Sequence, residues 1–214
     1  MMKDELEIYD FGDGQGPVLA RRHENGGGFV AATAHVESSA FVDESAVVFG
    51  QAVVCGVAKV LDYARVGGNA TVEELATVRE EASIGGSSHV YGSAQVSGAS
   101  CCEEFSQVGG NARIFDQAHI GGHSLITDNA WVYGQAQVGD YAKVRGTARV
   151  GGNSVIKGHA AVSGYVKIHD NAVVEGDGYV AGNCTIKGNA RITGHAEVIG
   201  FVEIDQGVVD DHRE

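Results

Sequence analysis

The chain of 214 residues holds one proline, Pro17, and none in the 197 positions that follow it (214 − 17). Proline cannot donate a backbone hydrogen bond, so its absence over such a length fits a backbone that is paired almost throughout. Long apolar runs are also missing. None approaches the roughly 20 residues that a membrane-spanning helix needs. The opening Met1-Met2-Lys3-Asp4-Glu5 lacks the apolar core of a signal peptide. Cations are scarce: 15 Lys and Arg stand against 28 Asp and Glu, a formal net charge of −13. Such a balance argues against indiscriminate binding to nucleic acid or to anionic membrane. Only four cysteines occur, Cys55, Cys101, Cys102 and Cys184. Unpaired thiols suit a reducing compartment, so a cytoplasmic location is expected.

What the chain has instead is glycine, 32 residues of it, and a period. From Val30 to Ile204 every sixth residue is Val or Ile, 29 positions out of 30, with Cys102 the exception. A period unbroken from Val30 to Ile204 means one short unit stacked on copies of itself. Let i denote each of these positions. Position i−2 is Ala in 20 hexads and Ser in five, while i+2 is Gly in 18 and Asp or Glu in nine. Neighbouring side chains of a strand face opposite ways, so i−2 and i point together to one side and i−1 and i+1 to the other. Glycine at i+2 permits a sharp corner. The Asn that often follows it (Asn69, Asn111, Asn153) would tolerate a left-handed backbone.

Each hexad is therefore expected to form a short strand of about four residues and then a bend. Three hexads close one triangular coil, and 30 hexads give ten coils. The expected fold class is all-β: a single-stranded, triangular parallel β-helix. Residues 1–27 form an N-terminal cap, 28–204 the β-helix and 205–214 an acidic tail. The cap should contain two short strands, Leu6–Phe11 and Pro17–Ala20, around a glycine-rich turn. Cys102 and Cys184 fall on inward positions and Cys55 and Cys101 on outward ones, so no disulfide is implied.

The Ala-x-Val-x-Gly-x repeat resembles that of the hexapeptide-repeat proteins, over residues 28–204. The segment 22–30, Arg-His-Glu-Asn-Gly-Gly-Gly-Phe-Val, is similar to one in uncharacterised bacterial and phage members described as acyltransferases. The resemblance implies a left-handed helix. It also implies an acyl-CoA-dependent acyltransferase as one reading, with a histidine as general base at a subunit boundary and acetyl-CoA as donor. A phage-encoded member would be a virion component. Active members of the family usually interrupt their coils with a loop and often add a C-terminal helix. No hexad here contains an insertion, and the tail 205–214 is short and β-branched. A second precedent in the family is a zinc-dependent carbonic anhydrase with three shared histidines. His123 and His159 match its first interval, but Gly164 stands where the third ligand belongs, so no metal is expected.

His123, His159 and His195 occupy the second bend position, where corner filling is the simplest role. His35, His89, His119 and His169 point outward, and of these His119 and His169 are the candidate bases under the acyltransferase reading. The outward residues of one side of the triangle stand apart. Before i that side carries Lys59, Arg113, Trp131, Arg149 and Lys167, and after i it carries Arg79, Phe115, Tyr133, His169 and Lys187. Six of these are Lys or Arg, and acids appear only at its ends, as Asp43, Glu203 and Asp205. The candidate binding face is Arg113, Phe115, Trp131, Tyr133, Arg149, Lys167, His169 and Lys187, with Arg113 and Arg149 flanking the Trp131 indole on successive coils. The leading expectation is a non-catalytic scaffold or docking rod without cofactor. It would self-associate through a β-helix side or its C-terminal end, or enter a larger protein assembly, with no membrane or nucleic-acid partner. A polymer-forming cytoskeletal β-helix is a third reading.

Overall fold

The computed structural model describes residues 6–211, and these form strands, turns and bends with no helix. Three sheets of 13, 10 and 10 strands, parallel throughout except for the N-terminal strands of the first, make the three sides of a prism. Each strand pairs with its counterpart one coil further on, as in Arg113 with Trp131 and Trp131 with Arg149. The all-β, triangular, ten-coil expectation matches this architecture. The sides take their order from their first hexads: Val30 on the first, Val36 on the second and Val42 on the third.

Why the hexad folds this way is visible in the hydrogen bonds. Amide groups at i−1, i+1 and i+3 each donate to a carbonyl in the next coil: Trp131 to Ala148 at 2.9 Å, Tyr133 to Val150 at 2.9 Å, Gln135 to Gly152 at 2.7 Å. A proline at any of these positions would break the ladder. Ladder pairing in strand geometry covers chiefly i−1 and i, as in Trp131–Val132, which is shorter than the strand expected from the repeat. The chain is already bending at its flanks. Inside, the Val and Ile columns are almost wholly buried, with Ala at the corners. Cys102 and Cys184 lie in this core and all four thiols are free.

The corners differ from the expectation in an instructive way. The left-handed residue is i+2, not the Asn after it: no asparagine has a positive φ among the described residues. Besides glycine, eight acids take that conformation, from Asp62 at φ 55° to Asp170 at φ 60°. All eight accept the backbone N–H exposed at the same corner one coil on. Asp116 receives it from Gly134 at 3.0 Å, Asp128 from Gly146 at 2.8 Å and Asp140 from Gly158 at 2.9 Å. A carboxylate thus offsets the left-handed strain by satisfying an amide that no carbonyl reaches. It is the β-helical counterpart of a helix N-cap. Much of the negative charge of the chain is committed to this structural task.

Glycine at i+1 has a different cause. A Cβ on Gly67, Gly109 or Gly151 would lie 2.2–2.4 Å from the ring of Phe49, Tyr91 or Tyr133, respectively. An aromatic side chain in one coil leans over the glycine of the next, and the missing side chain makes room for it.

The N-terminal hairpin continues the first side. β1 (Glu7–Tyr9) pairs antiparallel with β2 (Val18–Arg22), which pairs antiparallel with β3 (Phe29–Ala31). Tyr9 stacks on Phe29 at 3.8 Å, and Phe11 is buried beside Phe49. Residues 23–28 cross the third side, where Asn25 accepts from Val42 N–H at 3.0 Å. At the other end the tail contributes a strand: Val208–Val209 pairs with Arg191–Ile192, an offset of 17 (208 − 191). One corner residue has been lost, which is why the six-residue count stops at Ile204.

Candidate functional site

The third side positions its outward side chains on strands whose inward residues are locked in the core, so their Cα atoms repeat with the coils. The Arg113 guanidinium lies 5.4 Å and that of Arg149 4.7 Å from the centroid of the Trp131 ring. Phe115 meets Trp131 edge-on at 6.0 Å and stacks on Tyr133 at 5.2 Å with 7° between planes. Tyr133 in turn rests on the buried Gly151. The structure therefore brings Arg113, Phe115, Trp131, Tyr133 and Arg149 into one continuous group, with Lys167 paired in register beside Arg149.

The other two members of the predicted face are committed elsewhere. His169 Nδ1 is 3.2 Å from Asp170, and Lys187 Nζ is 2.5 Å from Glu203. Hydrogen bonding to Glu203 pushes the Lys187 ammonium up, and the Glu203 carboxyl is held down by the same contact. The Gly188 N–H, then His169, hold the Asp170 carboxyl below the ordinary carboxylate range. Arg113, Arg149 and Lys167 are exposed and make no ion pair among the described residues. Two hollows adjoin them. One is lined by Gln95, Ser97, Arg113, Phe115 and Trp131, the other by Thr147, Arg149, Tyr165, Lys167 and Asn183.

The histidines separate into three situations. His123 and His159 belong to a column of rings on the corner after the first side. Phe105, His123, Tyr141 and His159 stack at 4.7, 5.0 and 4.9 Å, all within 8° of parallel. His195 continues that corner between two carboxylates, Asp177 at 3.2 Å and Asp211 at 3.3 Å. His119, a candidate base, is 3.9 Å from Glu103, too long for a hydrogen bond.

The best-formed acid–base pair is one the sequence reading passed over: His89 Nε2 and Glu73 Oε1 at 2.7 Å on the second side. The Tyr91 ring lies 4.7 Å from the imidazole, and Cys55 Sγ donates to Glu73 Oε2 at 3.7 Å. The signal was available. One and the same sequence interval separates His89 from Glu73, His119 from Glu103, Arg191 from Glu175 and Lys187 from Glu203. An outward residue at i+1 meets i−1 of the next coil along that diagonal. Burial, then the charges of Glu73 and Glu37, pushes the Cys55 thiol above its ordinary value, which disfavours the thiolate. No group of three or more His, Cys, Asp or Glu among the described residues could hold a metal ion.

No protein-family model and no curated protein sequence matches the chain. Solved structures do resemble it. A UDP-N-acetylglucosamine O-acyltransferase from Moraxella catarrhalis aligns at 16% identity, 79% of this chain and 66% of that one, with a TM-score of 0.49. LpxA from Acinetobacter baumannii aligns at 15% identity over 81% of this chain and 67% of its own, with a TM-score of 0.45. A UDP-N-acetylglucosamine acyltransferase from Arabidopsis gives 16%, 82%, 72% and 0.36, respectively. The chain thus spans just under two thirds of the Moraxella protein.

Proposed function

We propose that the chain is a β-helical scaffold or docking rod that self-associates or binds a partner through its third side. The observation that carries this reading is a set of three cations without an ion-pair partner among the described residues, Arg113 and Arg149 on either side of Trp131 and Lys167 one coil beyond Arg149, on a chain of net charge −13. Trp, Tyr and Arg concentrate at interface centres because they bury large area with a polar handle. The double variant Trp131→Ala, Arg149→Glu should lose oligomeric mass in sedimentation or lose the molecules that co-purify with the rod. Unchanged mass together with unchanged co-purification would remove the proposal.

A second reading has an observation of its own. The 2.7 Å pair of His89 and Glu73 is the geometry of an oriented general base, so an acyl-CoA-dependent acyltransferase would use His89 in preference to His119 or His169. Glu73 would hold the imidazole and His89 would take a proton from an acceptor hydroxyl or amine at a boundary between copies. Calorimetric titration with coenzyme A tests it: measurable binding, and acyl transfer lost in His89→Gln, would displace the docking reading. Heat no greater than dilution would leave docking standing.

A further inference from the structure

We infer that the third side takes an acidic linear polysaccharide, laid along the rod axis from the coil of Arg113 to that of Thr185. This rests on the docking reading and names its ligand class. Charge gives the sign. Asp116, Asp128 and Asp170 on the flanking corners are bonded to the amides of Gly134, Gly146 and Gly188 at 3.0, 2.8 and 3.0 Å, Asp170 also meets His169, and Glu203 at the far end is held by Lys187. A ligand on this surface meets three cations without an ion-pair partner among the described residues, Arg113, Arg149 and Lys167, although the rod as a whole is acidic.

The borders of the strip give the second half of the argument. Both corners that flank the third side carry side-chain amides hydrogen-bonded from coil to coil. Asn111 donates to Asn129 at 3.1 Å on one corner. On the other, Gln135 donates to Gln117 at 3.3 Å and Asn153 to Asn171 at 3.2 Å. Each ladder bond takes one N–H from one amide and one lone pair from the other, so every amide keeps at least one further N–H and one lone pair. Such ranks match rows of sugar hydroxyls, which both donate and accept. The same corner positions in the second to fourth coils hold Val57, Leu75 and Ser93, and Tyr63, Glu81 and Ala99. Amides, aromatics and free cations therefore coincide over the same coils.

Spacing and stacking favour a glycan over other polyanions. The coils repeat at about 4.8 Å, close to the length that one pyranose adds to an extended chain, so each coil can meet one sugar. The Tyr165 ring, 69% exposed beside Arg149 and Lys167, offers an apolar face to the C–H side of a pyranose. A single-stranded nucleic acid needs open ring faces on which to stack its bases. Here guanidinium groups from the coils before and after approach the Trp131 ring, and Phe115 stacks on Tyr133. An acidic polypeptide would match the cations, but its extended repeat of about 3.3 Å per residue falls out of step with the coils.

Trp131 is the only tryptophan, so its fluorescence reads the site directly. The full chain is titrated with oligogalacturonates of increasing length, with cello-oligosaccharides as the neutral control, and with oligothymidylate and polyglutamate as other anions. Oligogalacturonate should shift the emission, gaining affinity up to the five coils from Arg113 to Thr185 and weakening with salt. Arg149→Gln with Lys167→Gln should weaken binding by more than about tenfold, while Lys59→Gln, outside the strip, leaves it unchanged. Far-UV circular dichroism on each variant checks the fold. Equal response to polyglutamate or oligothymidylate overturns the inference, and so does no response to oligogalacturonate. If sugars fail while Trp131→Ala, Arg149→Glu still alters assembly, docking stands and the glycan falls.

Discussion

Replacing Asp128 separates two effects that meet at a corner. Its backbone is left-handed, with φ 62°, and its carboxylate accepts the Gly146 amide hydrogen at 2.8 Å. In Asp128→Ala the bond disappears while a Cβ stays in the left-handed region. By analogy with a helix N-cap the bond contributes about 1 kcal/mol, a figure to take at its lower end because the carboxylate is exposed. Alanine also tolerates the left-handed region less well than aspartate, whose short polar side chain can bond locally. Asp128→Ala should therefore destabilise its coil by about 1–2 kcal/mol. Asp128→Gly loses the same bond but releases the strain, worth about 1 kcal/mol, and should fall within about 0.5 kcal/mol of the parent. Because a solenoid opens by parts, a global melting curve dilutes the effect. The direct assay is hydrogen exchange at the Gly146 amide. It should accelerate about fivefold in Asp128→Gly, for roughly 1 kcal/mol, and further in Asp128→Ala. Equal stability of the Ala and Gly variants would refute the strain component, and unchanged Gly146 exchange in both would refute the bond.

The same geometry sets three other outcomes. The Asp170 carboxyl is depressed by the Gly188 N–H and His169, so its contribution is present above the unfolded value of about 3.9 and is lost as pH falls through the lower folded value; the Gly188 amide shift, followed by NMR, should titrate with a midpoint below that of a free aspartate, and a midpoint at or above it would contradict the assignment. Ser106 Oγ is buried without a partner, whereas Ser124 Oγ donates to Gly121 at 2.7 Å. Ser106→Ala should thus be neutral or stabilising by up to about 1 kcal/mol and Ser124→Ala destabilising by about 1 kcal/mol, with the reverse order in chemical denaturation counting against the account. In Gly151→Ala the new Cβ would sit 2.3–2.4 Å from the Tyr133 ring, which must lift away from Phe115; loss of near-ultraviolet dichroism at unchanged far-ultraviolet signal is expected, and an unaltered aromatic signal would show that the ring does not lie there.

Much of the candidate face was legible because three hexads per coil assign every outward residue to a column. Arg113, Trp131 and Arg149 could be placed on successive coils by counting, and the structure puts them there. Counting did not say that His169 and Lys187 answer to Asp170 and Glu203 while Arg113, Arg149 and Lys167 do not. Nor did it separate His89 from six other histidines of the repeat. Those outcomes depend on which way a side chain leans, and a residue at i+1 can reach its own column, the diagonal neighbour in the next coil or the corner beside it. Glu73 takes the diagonal to His89, whereas His169 turns to Asp170 on the corner beside it.

The amino-acid order by itself determined the all-β prism, its ten coils and its inward columns, because an alternation of two faces inside a six-residue period admits one way of burying every Val and Ile. Only the tertiary structure decided which corner residues turn left-handed and what the acids there are for. It also decided how the segments outside the repeat attach: the hairpin on the first side, and the tail strand one residue out of step on the same side. Repetition constrains what lies above and below a residue. Segments without it find their place through contacts, such as Tyr9 on Phe29, that no period encodes.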